Sequence, residues 1–125
     1  MPKARQLSKI WEIGDALNAA GFVTLDEQAN VLGLGRSTTW TILRSNHKSS
    51  GLSAAIVNRM LRAPKLPPLV RAKILEYVEA KTAGLYGHNK QQLRRFIARL
   101  SVDGAALGVR AKRRFATILS AETGQ

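Results

Sequence analysis

Apolar residues recur along this chain at intervals of three and four, the spacing of helical faces, and no stretch alternates long enough to predict a strand. Leu7, Ile10, Trp11, Gly14, Leu17 and Ala20 mark a first helix, capped by Ser8 and ended at Gly21. Thr24-Leu-Asp-Glu27 has the form of a capping box, in which the Thr24 hydroxyl accepts from the Glu27 amide and Glu27 reaches back. It opens a second helix running to about Leu32, with Asp26 and Glu27 suited to the positive end of its dipole. A third helix spans about Arg36 to Arg44, and polar residues 45–52 predict a loop. Ser53 caps a fourth helix to about Arg62, with Ile56, Val57, Met60 and Leu61 inward and Pro64 beyond its end. Pro67-Pro68 starts a fifth, with Val70, Ile74, Tyr77 and Val78 on one face and Gly84 and Gly87 after it. Leu93, Phe96, Ile97 and Leu100 predict a helix over about 90–101. After a break at 102–108, Ala111, Phe115, Ile118 and Leu119 predict one more amphipathic helix.

Residues 24–43, TLDEQANVLGLGRSTTWTIL, carry the most information. Two helices that cross over a short turn need a small residue at the crossing, a glycine in the turn, an apolar plug after it and an apolar anchor on the second helix. Ala29, Gly33, Leu34 and Ile42 stand in those four places. The positions left facing outward on the third helix are Arg36, Ser37, Trp40, Thr41 and Arg44.

Charge sharpens this picture. The 125 residues carry 20 Lys and Arg against 8 Asp and Glu, a net charge of +12. Residues 1–35 hold three basic and four acidic side chains, whereas residues 36–75 hold eight basic and none acidic. Such segregation points to a polyanionic partner, nucleic acid first and an anionic membrane surface second. No apolar run approaches the roughly 20 residues of a membrane span. The acids Glu12 and Asp15 make the start a poor signal peptide. The absence of cysteine excludes disulfides and thiolate chemistry and fits a reducing cytoplasm. We therefore expect a cytoplasmic, nucleoid-associated protein.

Catalytic and metal chemistry find little to work with. His47 and His88 lack a ligand-type partner at helical spacing, and Asp15, Asp26 and Asp103 are far apart in sequence. GLGRST falls short of the full phosphate-loop pattern, and no nucleophile stands beside a base. The expectation is a binding protein, not an enzyme, with no cofactor and no metal.

The pattern Ala29-x-x-x-Gly33-Leu34-Gly35-Arg36-Ser37, followed by Ile42, resembles the lambda-repressor-like helix-turn-helix superfamily, which includes phage repressors and the lactose-repressor headpiece. The resemblance covers about residues 7–84. It implies an all-α, five-helix bundle over 1–84, with the helix-turn-helix as its second and third helices. Residues 85–125 then form a basic, partly helical C-terminal extension. The resemblance also implies that the third helix enters the major groove of duplex DNA by its N-terminal residues. Arg36, Ser37, Trp40 and Thr41 are then base contacts, and Thr24, Arg44, Asn46 and Lys48 phosphate contacts. Two departures matter. Thr39 stands where the family has an aliphatic core residue, and Trp40 where a small or polar reader is common. Both fit a third helix rolled to bury Trp40 and expose Thr39, so Trp40 has a core reading beside the base-contact one, while Trp11 is read as core. The large sugar-binding domain of lactose-repressor relatives is not expected here, so no small-molecule ligand is implied.

Lys90, Arg94, Arg95 and Arg99, and further on Lys112, Arg113 and Arg114, are either additional DNA contacts or solvated helix faces. The fourth and fifth helices, or the apolar stripe of the last helix, are the candidate homodimer interfaces. The function expected from the whole is sequence-specific binding of double-stranded DNA by a transcriptional regulator. The alternatives are a non-specific architectural or RNA-binding protein and an interaction module of the antitoxin or adaptor kind.

Overall fold

Six α-helices and no strand make up the described residues, 2–44 and 51–100 of the computed structural model. They are α1 (Pro2–Ala19), α2 (Leu25–Leu32), α3 (Arg36–Arg44), α4 (Ala54–Arg62), α5 (Pro68–Thr82) and α6 (Lys90–Arg99). Asn46, Lys48, Lys112, Arg113, Arg114 and the last expected helix lie outside the described residues. No described helix is long and apolar enough to cross a membrane.

Helix α1 departs most from expectation. It begins at Pro2, well ahead of Ser8. Its early turns are packed, because Gln6 is buried and its Oε1 accepts a 2.8 Å hydrogen bond from the Tyr77 hydroxyl of α5. The inward face is Ile10, Ile13, Ala16 and Leu17, whereas Trp11 is 56% exposed and Ala20 is exposed. The core assignment of Trp11 is thus corrected. Ile10, Ile13 and Leu17 form the line that α1 lays along α5, and Trp11, one residue on from Ile10, is turned about 100° away from it.

Local signals fix the next elements. Both arms of the capping box form: the Glu27 amide donates to Thr24 Oγ1 at 3.2 Å, and the Thr24 amide donates to Glu27 Oε1 at 3.1 Å. The bonds that the Thr24 amide and then the Thr24 hydroxyl donate to the Glu27 carboxylate hold it below its ordinary range, the backbone one most strongly. Gly33 ends α2 at φ 69°, and the Leu34 amide reaches back to the Ala29 carbonyl at 3.1 Å. A side chain at Gly33 would also press on Ala63 beyond α4, 3.2 Å from the position of its Cβ, so the turn is close-fitting as well as left-handed. Leu34 is buried, as a plug must be.

The core takes Val31, Leu32 and Ile42 from α2 and α3, Val57, Met60 and Leu61 from α4, and Val70, Ile74, Tyr77 and Val78 from α5. Ser53 caps α4, its side chain accepting from the Ile56 amide at 3.3 Å. Asn89 and Gln92 form a second capping box at the start of α6. Helix α6 packs on both α4 and α5. Tyr86 and Phe96 belong to the same hydrophobic cluster as α1–α5, and Leu93 is buried as well. The helix expected over about 90–101 is thus the sixth described helix, and residues 85–100 contribute to the packing.

Candidate nucleic-acid interface

Helix α3 has two unlike faces. Thr39 and Ile42 point inward, Thr39 with 0% exposure and Ile42 with 6%. Arg36, Ser37, Trp40, Thr41 and Arg44 are exposed together on the other side. Trp40 is 49% exposed, so the rolled arrangement that buries Trp40 and exposes Thr39 is not found. Thr39 can occupy a fully buried position because its hydroxyl is satisfied within the helix, donating to the Gly35 carbonyl at 2.8 Å. A buried hydroxyl with its own partner leaves mainly its methyl group for the core.

The outward residues are held to different degrees. Arg36 Nε lies 3.3 Å from Asp26 Oδ1, joining the first turn of α2 to the first residue of α3, with both side chains largely exposed. An exposed pair of this kind contributes about 0–1 kcal/mol, so it orients Arg36 without tying it down. The Thr41 hydroxyl donates to the Ser37 carbonyl at 3.0 Å. Arg44 Nη2 donates to Gln28 Oε1 at 3.3 Å. Gln28 is buried, and its Nε2 donates to the Phe22 carbonyl at 2.9 Å. One amide thus links the α1–α2 turn to the last residue of α3 and fixes the crossing of the motif from behind. Sequence reasoning missed Gln28, although it precedes Val31 and Leu32 by three and four residues and so shares their inward face.

The structure brings Thr24 no nearer to a phosphate role. Its hydroxyl donates to Glu27 Oε1 at 3.0 Å while accepting the capping bond, and the Asp26 and Glu27 carboxylates stand beside it in the chain. A phosphate there would meet two negative charges and a hydroxyl already committed to both of those bonds.

Not every cation of the one-sided stretch remains open to a polyanion. Lys73 Nζ lies 3.3 Å from Glu12 and 3.5 Å from Glu76, and Lys9 lies 3.8 Å and 3.6 Å from the same two carboxylates. The hydrogen bond it donates to Glu12, reinforced by the charge of Glu76, pushes the Lys73 ammonium above its ordinary range. Arg71 donates to the Leu61 carbonyl at 2.9 Å. Arg59, Arg62 and Lys65 are exposed. On α6, Lys90, Arg94, Arg95 and Arg99 are exposed opposite the buried Leu93 and Phe96. No protein-family model, curated protein or solved structure matches this chain.

Proposed function

We propose that this chain binds duplex DNA sequence-specifically, as a helix-turn-helix regulator of the lambda-repressor-like type, and that it works by recognition and not by catalysis. The observation that carries the reading is the outward face of α3. Arg36, Ser37, Trp40 and Thr41 stand exposed on a helix whose opposite face is locked by Thr39 and Ile42, on a chain of net charge +12. A helix of this width fits the major groove. Arg36 begins α3, the end that leads into the groove in this motif. Its pairing with guanine O6 and N7 contributes about 1–3 kcal/mol of discrimination. That exceeds the cost of releasing Asp26.

The test is selection of bound duplexes from a random library at near-physiological salt, with the native chain and with Arg36→Ala. An enriched motif is expected, palindromic if the protein binds as a dimer. Arg36→Ala should lose its preference at one position while keeping the rest of the motif. Absence of any motif, or uniform weakening on every sequence, would replace this reading with a non-specific or RNA-binding one.

A further inference from the structure

On the α4–α5–α6 side, and lined by no residue of α3, lies a cavity of about 210 Å³. Lys81, Arg95 and Arg99 line it together with His88 and Gln92, over the ring of Phe96. Its wall thus bears two guanidinium groups and an ammonium group, and its described residues include no carboxylate. Other cations of the bundle do meet acids, as in the Lys9–Glu12–Lys73–Glu76 cluster and the Arg36–Asp26 pair. Three positive groups around one hollow, with no carboxylate among its described residues, make it attractive to an anion.

The three cations are placed by the fold. Lys81 is 4% exposed, its Nζ donating to the Leu52 carbonyl at 2.9 Å and lying 4.4 Å from the centre of the Phe96 ring. Burial pushes its ammonium down to about 8, so it is still mostly charged at neutral pH. Arg95 and Arg99 are one turn apart on α6 and exposed. The end of that helix is pinned to α4 by Asn58 Nδ2, which donates to the Arg99 carbonyl at 2.9 Å. The hollow is smaller than the roughly 300 Å³ at which sites for drug-sized ligands begin, so the group that enters it is small. Paired guanidinium forks match phosphate oxygens in charge and shape.

We infer that this cavity is a phosphate-binding site, with Arg95 and Arg99 gripping the phosphate oxygens at the mouth and Lys81 supplying the charge beneath. The inference does not depend on how α3 is used, since the two regions share no residue. The phosphate belongs either to a small phosphorylated molecule or to a nucleic-acid backbone, and the chemistry of capture is the same.

The experiment is titration of the full chain with pyrophosphate at pH 7.5 and low salt, followed by calorimetry and by backbone amide resonances. Saturable binding is expected, with shifts concentrated at Gly51, Lys81, Gln92 and Phe96. The double variant Arg95→Gln/Arg99→Gln, both at exposed positions, should bind about tenfold or more weakly with an unchanged melting temperature. Lys73→Gln, which removes a cation already paired with Glu12 and Glu76 and outside the cavity lining, should bind as the native chain does. Binding that does not saturate, shifts confined to other surfaces, or equal affinity in the double variant would each overturn the site. Adding excess duplex DNA of random sequence then identifies the source. Displacement of pyrophosphate assigns the site to backbone phosphate, and retention assigns it to a small phosphorylated ligand.

Discussion

Leu52 shows how single residues set this architecture. Its amide donates to the Tyr77 hydroxyl at 2.9 Å, and its carbonyl accepts from Lys81 Nζ at 2.9 Å, so α5 holds both polar groups of one buried backbone unit. The Tyr77 hydroxyl in turn donates a hydrogen bond to Gln6 Oε1 of α1. Burial pushes the Tyr77 phenol far above its ordinary range and keeps it neutral as a donor. The residue before Leu52 must leave room for this network. Gly51 sits at φ 69°, and a Cβ on it would run into Gln6 Oε1 and the Tyr77 hydroxyl. Gly51→Ala therefore combines left-handed strain with overpacking of two polar groups, and a loss of about 2–4 kcal/mol is expected. Urea unfolding measures it, and a loss below about 0.5 kcal/mol, ordinary for a surface change, would refute the network. Tyr77 was readable as inward from its spacing with Ile74 and Val78. Its partners were not, because Gln6 is 71 residues away and a lysine is an unusual core residue.

Elements were legible where their signals are local. The capping box at Thr24 and Glu27, the left-handed Gly33, the cap at Ser53 and the proline start of α5 each act within one turn of chain, and α2 to α5 begin and end close to where those residues predict. Helix α1 was misphased because two apolar stripes overlap in it. Only packing against α5 selects Ile10, Ile13 and Leu17 over Leu7, Trp11 and Gly14. The same limit explains α6, since the Leu93–Phe96 stripe predicts a helix without saying what it covers. It covers α4 and α5, which has a measurable consequence. Tyr86, Leu93 and Phe96 are each buried, and burial of such side chains contributes about 1.5–3 kcal/mol apiece. Their sum is comparable with the roughly 5–15 kcal/mol that hold a typical domain folded. A chain ending at residue 84 should lose its cooperative thermal transition, whereas one ending at residue 100 should keep it. Helical melting followed by circular dichroism separates the two, and a cooperative transition in the shorter chain would make α6 an appendage after all.

At the scale of the whole molecule, the question is how much of the +12 charge is available to a polyanion. The linear sequence overstates it. Within the cationic run, Lys73 is neutralised by Glu12 and Glu76, and Arg36 leans on Asp26. Among the described residues the positive surface is therefore more localised than a count along the chain implies. Arg44 closes α3, Arg59, Arg62 and Lys65 lie on α4 and just after it, and Arg95 and Arg99 sit on α6. If these cations grip DNA phosphates, each contact releases condensed counterions, and affinity must fall with salt. With six to ten contacts, the affinity for a selected duplex should drop roughly 10³–10⁵-fold between about 50 and 200 mM salt. Exposed cations contribute separately to that slope, so Arg59→Gln and Lys65→Gln should each flatten it by about one contact if they touch phosphate. The Lys9–Glu12–Lys73–Glu76 cluster already has its charges balanced, so Lys73→Gln should leave the slope unchanged. Fluorescence anisotropy across a salt series reads all four slopes. A native affinity nearly independent of salt would remove phosphate contact from the mechanism, and with it the role proposed for the cationic surface.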